Sequence, residues 1–366
     1  MTERPEVAVI GAGIVGLSTA YSLMERGVAV TVYEQGAPGN GQSGGESRIF
    51  RHAHDDPRLV AFACRSRAIW REWEAALGVE LVSADGVVAL GPSVEARVRV
   101  MGKVSGTAGR VIDPAELAER LPVLGGYAGP AMIDEAGGSI RTGTAIHALA
   151  GQVGASLVVD EVITVRPSPN GAVEVRTGGR CAEYTRVVVC AGRGTARLAR
   201  GVGLALPVKQ AAHVRLTFAV RGDAPARLAC LQDGSGDFGE TGIYAAPLPG
   251  NHHYALGLSE TTEVLDDGSL LEPGGLADLS ERASGYVGRA LPGLDPDPVD
   301  YRHCWVTELP WSPDGFAVWE AEGLFFVAGH NLFKQAPALG RALAKAALGE
   351  GLESELRPEA KLGAPG

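Results

Sequence analysis

Cysteine is scarce. The five in 366 residues, Cys64, Cys181, Cys190, Cys230 and Cys304, contain no C-x-x-C pair and are odd in number. That pattern excludes a zinc knuckle and a complete disulfide framework, and it points to reduced core thiols. Long apolar runs are missing, so no segment reads as a bilayer span. The polar start, Met1 to Glu6, lacks the charged, apolar and small-residue succession of a cleaved leader, and the chain reads as cytoplasmic with no membrane partner. Positive charge is also short. Thirty-three Lys and Arg against 43 Asp and Glu leave a net charge of −10, which gives phosphate backbones nothing to approach, so nucleic acid is not an expected partner. His52-x-His54 and His252-His253 have no further ligands at helix or knuckle spacing, so no metal is expected.

What is present suits a small polar ligand. The length is enough for two intertwined domains with a buried cofactor site. The first forty residues read as a strand (Val7 to Ile10), a glycine turn, a helix (Ile14 to Arg26) and a second strand (Ala29 to Glu34), one β-α-β unit. Leu59, Phe62, Ile69, Trp70, Trp73 and Leu77 recur at helical spacing from Pro57 to Leu77, where the tryptophans read as core. Residues 82 to 91 look strand-like, and Asp113 caps a short helix that has Pro114 at its first position. A helix over 144 to 153, strands at 156 to 165 and 172 to 177, and the apolar run 187 to 190 restore an α/β pattern. Alternating stretches between 206 and 300 predict an antiparallel sheet broken by a Pro/Gly/Asp-rich segment at 263 to 275. A strand at 324 to 328 and a helix from Pro337 to Leu348 close the chain. The expected architecture is α/β plus antiparallel β. A Rossmann-like cofactor domain is assigned residues 1–82, 141–205 and 301–366, and an inserted mixed-sheet substrate domain 83–140 and 206–300.

Gly11-Ala12-Gly13-Ile14-Val15-Gly16 follows a strand and opens a helix, the context that gives a G-x-G-x-x-G its meaning. Gly11 permits the tight turn, Gly13 admits a pyrophosphate to the backbone, and Gly16 lets helix and strand approach. The helix N-terminus offers unpaired N–H groups to phosphate. Glu34, ending the second strand, is placed for ribose hydroxyls and disfavours a 2′-phosphate. The motif alone leaves NAD and FAD both open.

Beyond the cradle, Ser43-Gly44-Gly45-Glu46-Ser47-Arg48-Ile49-Phe50-Arg51-His52-Ala53 resembles the segment after the second strand in the sarcosine oxidase group of the D-amino-acid-oxidase superfamily, which includes N-methyltryptophan and pipecolate oxidases. The resemblance continues through Trp70, Asp85-Gly86-Val87, Val187 to Gly192 and Cys304 to Lys334. It implies FAD bound extended, with the flavin ring where the two domains meet. Arg48 and Arg51 match the arginines of that signature, one beside the flavin and one clamping a substrate carboxylate, roles that suit guanidinium chemistry. Gly329-His330-Asn331-Leu332-Phe333-Lys334 resembles the Gly-His-Gly-Phe-Lys turn, one residue longer here, whose lysine shares the carboxylate; a solvated loop lysine is the alternative. His330 and His303 flank these residues and read as flavin-tuning or structural. Cys304 stands where the group carries its covalent bond to the flavin, although two extra residues precede Pro313-Asp314; a buried free cysteine is the alternative.

The resemblance also implies a loss. Ungapped matching of Tyr254 to Ser259 puts Ala255 where the group has an oxygen-activating lysine and Ser259 where it has a substrate-facing histidine. Tyr244, on the neighbouring strand, is either a pocket residue or a half-buried strand tyrosine. The candidate catalytic set is thus Arg48, Arg51, Lys334 and Tyr244. The cofactor set is Gly11, Gly13, Ile14, Val15, Gly16, Glu34, Ser43, Arg48, Val162, Ala191, Gly192, Cys304 and Gly329. The expected activity is FAD-dependent oxidation of a C–N bond in a small amino, cyclic imino or N-substituted amino acid, with oxygen or another acceptor taking the electrons. A dehydrogenase or monooxygenase of the same fold, and a non-catalytic dinucleotide-binding protein, remain open alternatives.

Overall fold

Four apolar residues, Val7 to Ile10, form a strand buried on both faces, which requires neighbours on each side. A computed structural model, describing residues 6–107, 109–265 and 268–364, shows them. The polar start at residues 1–5, part of the 263–275 segment (266–267) and the last two residues lie outside this description. Glu6–Ile10 pairs in parallel with Ala29–Glu34 and Arg186–Val189, with Val9 opposite Val32 and Val188. The six-stranded sheet runs Phe316–Ala321, Leu324–Gly329, Arg186–Val189, Glu6–Ile10, Ala29–Glu34, Leu157–Val159. The helix Ile14–Glu25 packs on the helix Ala336–Ala347 through Gly340, where a Cβ would stand 2.7 Å from Ser18 Cβ. A three-stranded antiparallel sheet, Val162–Pro167, Val173–Thr177 and Cys181–Tyr184, joins the same core. These elements belong to one compact unit of three segments, Met1–Gly44, Gly143–Lys209 and Thr307–Pro365.

The second unit is Gly45–Thr142 with Gln210–Val306. Its nine-stranded sheet runs Thr262–Glu263, Lys209–Val220, His253–Leu258, Ile243–Pro247, Cys230–Asp233, Val87–Leu90, Ala131–Asp134, Gly109–Ile112, and Leu294–Glu308 pairs with Lys209–Val220. Because side chains alternate along a strand, Val214, Leu216 and Phe218 fall on one face with Tyr254, Leu256 and Leu258. The helix Gly275–Ala290 covers them with Leu279, Ala283, Tyr286 and Val287. His213, Arg215 and Thr217 fall on the opposite face.

Four sequence expectations change. Residues 45–82 group with the second unit, because Ser47–Phe50 pairs with Gly138–Arg141 and the helix Pro57–Leu77 buries Val60 with Ala89, Val94, Met101 and Met132. The strand expected over 156–165 is split. Leu157–Val159 joins the parallel sheet, and the chain changes sheets before Val162–Pro167. The region read as antiparallel sheet from 206 to 300, broken at 263 to 275, also contains the 16-residue helix Gly275–Ala290. The strand-like stretch at 82 to 91 contracts to Val87–Leu90, with Val82 making an isolated bridge to Ile140.

Candidate functional site

In the first unit the glycine turn is enforced by crowding. Gly11 has φ 98°, and a Cβ on it would sit 2.5 Å from Cys190 O, just past the neighbouring strand Arg186–Val189; a Cβ on Gly16 would sit 1.9 Å from Gly11 O. No residue but glycine fits either place. The helix beginning at Ile14 has Gly13 as its cap, which supplies no side-chain acceptor. The Ile14 N–H is instead taken by Ser43 Oγ at 2.9 Å. Glu34 is locked by accepting Ala12 N–H at 2.8 Å and Gly36 N–H at 3.1 Å, and its two oxygens retain lone pairs for further donors. Ala191 and Gly192 follow the strand that adjoins Glu6–Ile10, and a Cβ on Gly192 would press on Gln42 Oε1 at 2.6 Å. Val162 is buried in the core with Ile10 and Tyr33. The fold therefore gathers residues 11–16, 34–43 and 190–192 around one helix N-terminus.

Lys334, also in this unit, is not a solvated loop lysine. It is 5 % exposed; its Nζ lies 3.5 Å from Asp314 Oδ1 and donates to Asn331 O at 3.4 Å. Asn331, in the left-handed region at φ 54°, donates to the same Asp314 oxygen at 2.6 Å. Gly329 precedes it at φ 150°, against Phe316.

In the second unit the arginine segment is held from behind. His52 is fully enclosed; its backbone N–H donates to Asp134 Oδ2 at 2.6 Å and its Nδ1 lies 3.1 Å from both carboxylate oxygens. That bond fixes the chain immediately after Arg51, which, like Arg48, is half-buried. Arg51 donates from Nη1 to Ala53 O and lies 3.2 Å from His54 Nδ1, while Arg48 Nη1 donates to Ser47 O at 3.0 Å.

The non-core face of the large sheet carries a polar cluster. Tyr244 Oη lies 2.9 Å from His213 Nδ1, and the Tyr244 ring packs 5.9 Å from the Arg215 guanidinium carbon. Burial is the main reason that the His213 imidazolium is held down to about 4; the Leu258 carbonyl works against this, and the positive charges of Arg48 and Arg215, with the His303 ring, work with it. Burial likewise pushes the Tyr244 phenol well up, aided by the nearby Cys304 thiol and opposed by Arg215 and Arg48. Cys304 itself is buried, with Sγ 3.9 Å from Arg302 O, and His303 stacks on Trp305 with ring centres 4.3 Å apart. Ala255 pairs with Ala246 and Thr217 on this same sheet.

A parallel sheet, a glycine cradle at a helix N-terminus and an acid ending the second strand define a dinucleotide-binding unit. Residues 6–346 match the family described as DAO, FAD dependent oxidoreductase. The chain belongs to that family. Its cofactor is therefore FAD and the protein is an oxidoreductase, similar to amino-acid oxidases. The glycine oxidase of Geobacillus kaustophilus is 27 % identical over 357 residues, 90 % of this chain and 89 % of that one. A monomeric sarcosine oxidase of Arthrobacter is 35 % identical, but over 94 residues, a quarter of each chain. Among solved structures, NikD, an unusual amino acid oxidase essential for nikkomycin biosynthesis, matches in its open form with a TM-score of 0.81 at 23 % identity, covering 95 % of each chain. The solved glycine oxidase of G. kaustophilus matches with a TM-score of 0.75 at 22 % identity, covering 97 % of each. The geometry of the first unit fits the adenosine and pyrophosphate part of FAD: the space at Gly13 admits no side chain larger than hydrogen without pressing on Ser43 Oγ at 3.1 Å, and Glu34 is pre-oriented.

Sequence reasoning missed His213 and Arg215. Their signal was present: in Ala212-His213-Val214-Arg215-Leu216-Thr217-Phe218 the polar residues alternate with apolar ones, so a strand must set both on one face. Asp314, as the partner of Lys334, was quoted in a motif without being given this role.

Proposed function

We propose that the protein oxidises a C–N bond of a small amino, cyclic imino or N-substituted amino acid. The observation that carries this reading is the pair of restrained cations at motif positions, Arg51 on its His52–Asp134 anchor and Lys334 beside Asp314. The resemblance assigns both to the substrate carboxylate. Asp314 balances the Lys334 charge and, with Asn331, fixes the turn that carries it, so the ammonium keeps its position without substrate. Arg48 supplies positive charge to the surroundings of His213, Arg215 and Tyr244. The glycine cradle, Ser43 and Glu34 would hold the adenosine and pyrophosphate of FAD.

FAD, when bound, supplies a two-electron acceptor for the hydride of the carbon bearing the nitrogen. The protein's share is binding, orientation and electrostatics. The amine must be neutral for its carbon to release hydride; the product is an imine that water then opens. The relatives named glycine and sarcosine oxidases support the substrate class. Oxygen or another molecule takes the electrons onward, and Ala255, standing where the resemblance puts a lysine, favours an acceptor other than oxygen.

Cys304 is proposed as the point of covalent flavin attachment, on the resemblance and on its place beside Tyr244 and Arg215. Anaerobic mixing of the yellow protein with a panel of N-methyl and cyclic imino acids tests the activity: loss of the flavin band with one of them is expected, and no bleaching with any sinks the reading. Acid precipitation tests the bond. Colour should stay with the pellet in wild type and leave it in Cys304→Ser, whereas release from wild type removes Cys304 from the flavin.

A further inference from the structure

The face of the second unit's sheet that turns away from its core carries an amide whose oxygen has no donor. Val88, Leu231 and Ala245 lie in the core cluster under the helix Gly275–Ala290, so alternation sets their neighbours Ala89, Gln232 and Tyr244 on the opposite face. Gln232 pairs directly with both Ala89 and Tyr244. It is half-buried, whereas Ala89, Cys230 and Ala246 around it are covered. Its Oε1 is enclosed and has no hydrogen-bond partner among the described residues. Buried amide oxygens are nearly always paired, because an unmet one is costly.

The neighbouring strands do not supply the donor. Ala89 has none to give. Tyr244 leans the other way, since its hydroxyl crosses Gly257 to reach His213 two strands beyond. Past the ends of the three strands the chain continues with Gly91, Gly234 and Gly242, which carry no side chains. The amide thus stands beside a gap in its own face with its oxygen tied to nothing, and the soft last torsion of glutamine lets it turn either end outward.

The arginine segment passes over this gap. Ile49 packs against Val87, Cys230 and Ala246, and Ala53 packs with Ala89 and Met132. Arg51 lies midway between Ile49 and Ala53 in the chain, so it is carried across the two strands, Cys230–Asp233 and Val87–Leu90, that hold Gln232 and Ala89. A guanidinium passing a neutral acceptor suits a molecule that bears an anion and a donor close together. The guanidinium takes a carboxylate; Gln232 Oε1, which a carboxylate cannot satisfy, takes an N–H or O–H.

We propose that Gln232 is a specificity-determining residue whose side-chain oxygen accepts a hydrogen bond from the substrate. The inference rests on the amino-acid reading above and adds a requirement to it: besides its carboxylate, the substrate offers this oxygen a neutral donor. That donor has two sources, the nitrogen on the reacting carbon or an N–H or O–H farther along the side chain. In the first case the uncharged amide orients the nitrogen without favouring the ammonium form, which cannot release hydride.

Two pairs of ligands, each differing in the donor alone, test this on the FAD-loaded protein without turnover. The α-carboxylates of pyrrole and furan exchange a ring N–H beside the carboxylate-bearing carbon for an ether oxygen; succinamate and levulinate exchange a remote amide nitrogen for a methyl group. Binding is titrated by calorimetry and by perturbation of the flavin spectrum in wild type, Gln232→Met and Gln232→Glu, with thermal midpoint and flavin content measured alongside. Wild type should prefer the donor-bearing member of one pair by about fivefold or more, the scale of a neutral hydrogen bond. Gln232→Met should abolish that preference by weakening the donor-bearing ligand alone, and Gln232→Glu, which keeps an oxygen acceptor, should retain it. A preference within the ring pair identifies the nitrogen on the reacting carbon, and one within the succinamate pair identifies the side chain. Equal binding within both pairs in wild type overturns the proposal, as does failure of all four ligands to bind. A preference that persists in folded, flavin-loaded Gln232→Met overturns it too, because the donor then goes elsewhere. If the Met variant does not fold, Gln232→Glu decides: a retained preference supports the oxygen's role and a lost one overturns it. A protein that oxidises no amine yet shows a donor preference dependent on Gln232 loses the oxidation reading and keeps this one; amine oxidation with binding indifferent to Gln232 does the reverse.

Discussion

The Tyr244 hydroxyl reaches His213 Nδ1, 2.9 Å away, by lying across Gly257 on the strand between them. Tyr244 pairs directly with Gly257, and a Cβ there would stand 2.6 Å from Tyr244 Oη and 2.7 Å from Val214 O. Gly257→Ala should therefore push the phenol off His213 and cost about 1–3 kcal/mol, the usual scale of overpacking a full interior. Urea unfolding of the flavin-loaded protein measures it. An unmoved midpoint would mean that the phenol rests elsewhere.

His213 makes stability depend on acid. Its folded pKa, about 4, lies below the ordinary 6.5, so the unfolded chain protonates first as pH falls. Above pH 6.5 both states are neutral and nothing is lost; between pH 6.5 and about 4 the folded state loses stability progressively, toward a limit of about 3 kcal/mol. The charged and titratable neighbours in this balance are Arg48, Arg215, His303 and Tyr244. His213→Gln should flatten this part of the curve of unfolding free energy against pH, and a curve as steep as wild type would assign the acid loss to other groups.

Gly16→Ala forces a Cβ to within 1.9 Å of Gly11 O, and the backbone of the cradle has to shift. The expected result is a protein purified with less than about a tenth of the wild-type flavin, since the pyrophosphate depends on that close approach. The ratio of flavin to protein absorbance reads it directly. Full retention would place the phosphates away from the cradle.

Asp134→Ala removes the acceptor of the His52 backbone N–H and of its ring. Two enclosed donors are left unsatisfied, at a cost of about 2–4 kcal/mol. Asp134→Asn, which keeps one acceptor oxygen, should lose less. If Arg51 holds substrate, the Asn variant should also raise KM more than it lowers kcat once a substrate is known, and a lowered kcat at constant KM would count against that role.

Much of the local structure in both units was legible in the sequence, because its determinants lie close together in the chain. The Gly11 to Gly16 spacing, Glu34 two elements later, the proline-started helix at Pro57 and the Asp113 cap are each fixed by neighbours in the chain; the structure shows Asp113 accepting the expected N-terminal N–H, and adds Asp56 as the cap of the helix at Pro57. The helix Gly275–Ala290 was hidden by the glycine- and proline-rich stretch before it, although Leu276, Leu279, Ala283, Tyr286 and Ala290 keep a helical period. The segment 45–82 was misplaced because it follows the β-α-β unit without a break, while its packing partners, Ala89, Met101 and Met132, lie well downstream.

The sequence by itself determined the cradle, the FAD family signature and the candidates Arg48, Arg51, Lys334 and Cys304, since a phosphate turn and a motif depend on residues adjacent in the chain. Only the tertiary structure decided what those residues meet. Lys334 faces Asp314, twenty residues earlier, because a strand turns back between them. His213, Arg215 and Tyr244 come together because neighbouring strands in an antiparallel sheet place distant residues side by side, and Gly257 leaves the gap through which they touch. Strand register is a property of the whole sheet, and no local pattern in this chain encodes it.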